Sequence, residues 1–65
     1  GQFSATSGGD NVFVADGLIY VCNLKGEIIG KIRLPERPSS IIMGKDGYLY
    51  ASAVTSLYRI NITHS

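Results

Sequence analysis

An all-β fold of short antiparallel meanders is what these 65 residues predict. Runs rich in Val, Ile, Tyr and Phe alternate with Gly, Asp and Asn, the pattern of strands parted by tight turns. Nowhere do apolar residues recur at i, i+3, i+4 and i+7 for two turns, so no helix is expected. A segment with two prolines, Leu34-Pro35-Glu36-Arg37-Pro38, then splits the strand pattern in two, because proline removes ladder donors and holds the chain extended.

Seven strands follow in order, at residues 3–7, 12–15, 18–23, 27–34, 39–43, 48–53 and 56–62. The first runs up to a turn at Asp10-Asn11. Val12-Phe13-Val14-Ala15 and Leu18-Ile19-Tyr20-Val21-Cys22 are apolar on both faces, which asks for cover on each side of their sheet. Asp16-Gly17 turns the second strand into the third, and Lys25-Gly26 the third into the fourth, since these residue pairs tolerate positive φ. In the fourth strand Ile28, Gly30, Ile32 and Leu34 alternate with Ile29, Lys31 and Arg33. That period of two marks a strand with one wetter face, and its cations suit an outer edge. The proline segment is the crossing to a second sheet, whose three strands are joined through Asp46-Gly47 and the residues before Ser56.

Composition narrows the function classes. Six Lys and Arg against five Asp and Glu leave a formal charge of +1, scattered singly, with no basic stripe for a phosphate backbone. No apolar run approaches the roughly 18 residues of a membrane helix, and residues 1–9 lack the basic start and apolar stretch of a signal peptide. Neither nucleic acid nor a membrane is therefore expected as a partner. A single cysteine, Cys22, closes no intrachain disulfide and slightly favours a reducing, cytoplasmic setting. A chain this short buries only about 60% of its unfolded surface, so its stability has to come from packing or from partners.

An internal repeat sets the architecture. Asp10-Asn11-Val12-Phe13-Val14-Ala15 aligns with Asp46-Gly47-Tyr48-Leu49-Tyr50-Ala51, 36 residues on. After a two-residue slip, Ile19-Tyr20-Val21-Cys22-Asn23 aligns with Leu57-Tyr58-Arg59-Ile60-Asn61. A period of this length with four short strands per unit is that of a β-propeller, whose blades bury both faces only against neighbouring blades. The chain thus reads as about one and three-quarter blades: residues 1–34 one blade, 35–38 the crossing, 39–65 a final three-stranded blade.

These segments, taken in order, resemble the C-terminal end of the gluconolactonase/regucalcin-like family. The match runs through Asn11–Gly17, Lys25–Ile32, the Leu-Pro-Glu-Arg-Pro crossing with Ser39-Ser40, Gly47–Ala51 and Ser56-Leu57-Tyr58-Arg59-Ile60. The crossing and the closing Ser-Leu-Tyr-Arg-Ile are its most specific parts. The resemblance implies a six-bladed propeller that holds a divalent metal, usually calcium, in its central channel and hydrolyses sugar lactones or related esters. It further implies that an N-terminal strand completes the last blade. The family's metal ligands, a Glu, an Asn and an Asp, come from earlier blades, and the last of them would fall near Gln2. Gln2-Phe3-Ser4 does not reproduce its motif, so no catalytic or metal-binding residue carries over to this chain.

The residues' own chemistry gives few site candidates. Asp10, Asp16 and Asp46 lie in turns, where aspartate bonds its own backbone; Glu27 and Glu36 are expected in solvent. His64, near the end, has no Ser–Asp constellation beside it and reads as a frayed or linker residue. Cys22 reads as a small buried hydrophobe. Tyr20, Tyr48, Tyr50 and Tyr58 are expected to pack between blades. Asn61-Ile62-Thr63 is a glycosylation sequon that signifies only in a secreted protein. Ser39 and Ser40 follow the crossing, where an innermost strand faces the channel, and are the candidates for a channel lining; local bonding to backbone is the simpler role. Two functional expectations follow. One is the C-terminal part of a metal-dependent lactone hydrolase, silent as this segment alone. The other is a non-catalytic module that self-associates through open blade faces.

Overall fold

In the computed structural model, residues 3–62 are described. Seven strands run in sequence: β1 (Ser4–Gly8), β2 (Asn11–Asp16), β3 (Leu18–Asn23), β4 (Ile28–Ile32), β5 (Ser40–Met43), β6 (Leu49–Ser52) and β7 (Leu57–Ile60). No helix interrupts them among the described residues. Each strand pairs antiparallel with its neighbour in the chain, giving a four-stranded sheet β1-β2-β3-β4 and a three-stranded sheet β5-β6-β7.

Gly17, Gly26 and Gly47 take positive φ in the expected turns. At the first turn the left-handed residue is Gly9, and Asn11 already belongs to β2. The turn after β3 is built by Asn23, whose Oδ1 accepts from the amides of Lys25 and Glu27, while the Gly26 amide donates to its carbonyl.

The fourth strand is shorter than expected and departs from simple alternation. Val21 lies opposite Gly30 but Cys22 opposite Ile28, so Ile29 is an extra residue, a β-bulge. Beyond the bulge Gly30, Ile32 and Leu34 are half-buried while Lys31 and Arg33 are exposed, as period two requires. At the bulge the phase is lost, and Ile28 and Ile29 are both exposed.

The core lies between the sheets. Phe13, Ala15 and Ile19 from the larger sheet meet Ile41, Leu49 and Ala51 from the smaller, and Val21, Ile32, Met43, Tyr58 and Ile60 pack around them. Alternation then puts Val12, Val14, Tyr20 and Cys22 on the other face of the larger sheet, where they stay half-exposed. Ile42, Tyr50, Leu57 and Arg59 occupy the corresponding outer face of the smaller sheet.

Side-chain hydroxyls join the two sheets along β1 and β5. Ser4 Oγ accepts from the Ile41 amide at 3.1 Å and donates to the Ile41 carbonyl at 3.4 Å. Two residues further along both strands, Thr6 Oγ1 accepts from the Met43 amide at 3.2 Å. The strands therefore run side by side in the same direction.

The ladders refine the repeat. Thr6 stands opposite Phe13, whereas Ile42, 36 residues after Thr6, stands opposite Tyr50 and not Leu49. Phe13 stands opposite Val21, and Tyr50 opposite Arg59. The two-residue slip seen in the sequence is thus taken up one residue at a time, at the β5–β6 turn and again at the β6–β7 turn. A shift of one residue reverses every side chain in a strand. Phe13 and Leu49, matched by sequence, accordingly point at each other across the core; by position in the sheet, Phe13 corresponds to Tyr50 and Leu49 to Val12.

Candidate functional site

The proline crossing carries the best-connected polar group. After β4, Leu34 packs against the core and Pro38 is buried, which fixes both ends of the segment and holds Glu36 over the β6–β7 turn. One Glu36 oxygen accepts from the Thr55 hydroxyl at 2.6 Å and the Thr55 amide at 3.2 Å. The other accepts from the Tyr58 hydroxyl at 2.8 Å. The Thr55, Tyr58 and Ser56 hydroxyls stabilise the charged form and lower its pKa from 4.5 to about 2, while the Tyr58 phenol is pushed up by the carboxylate it serves. Glu36 is therefore a clasp between crossing and turn, where sequence alone placed it in open solvent.

A second polar group sits at the β5–β6 turn. Asp46 accepts from the Tyr50 hydroxyl and, at 3.0 Å, from the Tyr48 amide; both hold its carboxyl below the usual aspartate range and Asp46 raises the Tyr50 phenol. The Arg59 guanidinium lies 4.8 Å from the centre of the Tyr48 ring, a cation–π contact. On the larger sheet Lys31 stands 5.8 Å from the Tyr20 ring in the same manner.

Neither carboxylate is set up as a general base. A general base at neutral pH needs a pKa near 7, and both well-bonded carboxylates are moved away from it. Glu27 accepts from Asn23 Nδ2 at 2.8 Å within its own turn, and Asp10 and Asp16 are exposed at separate turns. Among the described residues no three His, Cys, Asp or Glu side chains come together as a metal-binding group.

Ser39 and Ser40 divide. Ser39 is tied to the Ser52 carbonyl through its amide at 2.8 Å and its hydroxyl at 3.1 Å, while the exposed Ser40 accepts at its own carbonyl from Ser52 Oγ at 3.4 Å. Cys22 is half-exposed on an uncovered face and lies outside the core. Of the tyrosines only Tyr58 packs against the core. His64 lies outside the described residues, as does Thr63 of the sequon.

A cleft of about 500 Å³ lies between the outer part of the larger sheet and the end of β7. Phe13, Val21, Ile29 and Ile32 form one wall, Ile60 and Ile62 the other, and Asn11, Lys31 and Asn61 add polar groups. Its lining is mostly apolar, and β7, which borders it, is the last strand of its sheet among the described residues.

In comparison with known proteins, the chain matches no family model, no curated protein and no solved structure.

Proposed function

We propose that this chain is the C-terminal pair of blades of a gluconolactonase-like propeller, contributing channel wall and ring closure to a metal-dependent lactone hydrolase. The observation that carries the reading is the junction of β1 and β5. Two successive meander sheets stack face to face with their first strands parallel and adjacent, pinned from Ser4 to Ile41 and from Thr6 to Met43. Blades around a propeller channel are arranged in this way. The three-stranded second sheet, with the cleft beside β7, agrees with a last blade that receives its outermost strand from elsewhere. The crossing clasp gives Glu36 a structural part in holding consecutive blades.

The metal and the catalytic residues would come from other blades, where they would polarise the lactone carbonyl and activate water. The 65-residue chain is accordingly expected to leave gluconolactone untouched with or without calcium. The test extends the chain by the reading frame that precedes Gly1 and follows lactone hydrolysis before and after chelation. About four further blades and chelator-sensitive hydrolysis are expected. Metal-dependent hydrolysis by the 65 residues alone, or an extended protein without lactonase activity, overturns the reading.

A further inference from the structure

We infer that a second copy of this chain docks head to tail, laying the outer face of its larger sheet on the outer face of the first copy's smaller sheet. The argument rests on the ladder registers and is independent of the lactonase reading. The contact between the two sheets of one chain is a template whose two sides recur, by position, on the two outer faces. On the smaller sheet Tyr50 stands where Phe13 stands on the larger, and Leu57 where Ile19 stands. On the larger sheet Val12 corresponds to Leu49 and Tyr20 to Tyr58 by the same registers. Much of each outer face therefore repeats apolar positions that its counterpart buries within the chain; the departures are Arg59 and Ser52, which stand where Val21 and Ala15 stand on the larger sheet.

The hydroxyl joint recurs as well. Ser40 holds the place in β5 that Ser4 holds in β1, and Ser4 binds both backbone groups of Ile41. The residue matching Ile41 in β1 is Ala5, so Ser40 is positioned to bind the Ala5 backbone of the second copy. Ile42 replaces Thr6, giving up one hydrogen bond for apolar contact; it is 65% exposed in the single chain, and Leu57 is 71% exposed. Two copies joined in this way repeat the spacing of the sheets within one copy. Because the two contacting surfaces differ, the association is heterologous and ends either in a closed ring or in open growth.

Sedimentation velocity across a concentration range tests this, with Ile42→Asp blocking one face and Val14→Asp the other. Far-UV circular dichroism verifies that each variant keeps the β signal, since both residues lie outside the core. The wild type is expected to associate, each variant to sediment as a monomer, and an equimolar mixture of the two to form a heterodimer through the face each retains. Ser40→Ala, which leaves both faces intact, should weaken association by about three- to tenfold, the share of one hydrogen bond. A wild type that stays monomeric overturns the proposal. So does a variant that still self-associates, which would mean like faces pair, or a mixture that remains monomeric.

Discussion

Phe13→Ala is expected to lower the stability of the chain by about 3–5 kcal/mol, the range for deleting a buried aromatic side chain. Phe13 is 2% exposed at the centre of the only core among the described residues, with Ile41, Leu49 and Ala51 facing it from the other sheet. A domain of this length holds only roughly 0.05–0.15 kcal/mol per residue, so the loss is comparable to the whole. Urea denaturation followed by far-UV circular dichroism should therefore find the variant largely unfolded near room temperature. A shift below about 1 kcal/mol would mean that the sheets do not depend on this contact.

Two leucines give the second expectation. Leu49 is 0% exposed in the central strand of its sheet, and Leu57 is 71% exposed on the outer face. Leu49→Ala should cost about 2–5 kcal/mol, through lost transfer energy and the cavity left behind. Leu57→Ala should stay within about 0.5 kcal/mol for the single chain at a concentration where it is monomeric. Equal losses at the two positions would contradict the assignment of faces on which the register argument depends.

Glu36 adds a pH dependence whose sign follows from its bonding. Its carboxyl is lowered from 4.5 to about 2 in the folded chain, so the unfolded chain binds the proton first. The stabilisation is complete above the ordinary glutamate range and is lost as the pH falls from 4.5 towards about 2. Glu36→Gln should flatten the fall in urea midpoint across that interval. Asp46, also lowered, accounts for a slope that persists in the variant. Identical slopes in wild type and variant would show that the clasp contributes nothing to folding.

The local parts of this fold were legible in the sequence. Gly17, Gly26 and Gly47 announce their turns because few other residues accept positive φ, and the proline pair announces the crossing by denying the ladder its donors. What escaped is set by distance or by phase. The partners of Glu36, Thr55 and Tyr58, lie 19 and 22 residues away, and no local pattern links them. The bulge at Ile29 is hidden because a run of isoleucines reads the same in either phase. The sequence repeat matched Phe13 to Leu49 by residue type, while the ladders match Phe13 to Tyr50. As for the candidate site, the cleft beside β7 depends on how the two sheets lean together and has no counterpart in spacing.

The extra residue in each turn of the smaller sheet bears on how such a chain can change length over time. A tandem duplication copies a segment of fixed length, and the two halves then drift by insertion and deletion. An insertion within β6 would rotate Leu49 and Ala51 towards solvent and bring Tyr50 into the core, a change the fold would not survive. The same residue added between Met43 and Leu49 leaves every strand in phase, because the turn absorbs it on the surface. The turns of the two sheets differ in length by one residue at each of two places, and such hairpin tips are where a chain of this kind can vary in length without cost to the packed layers.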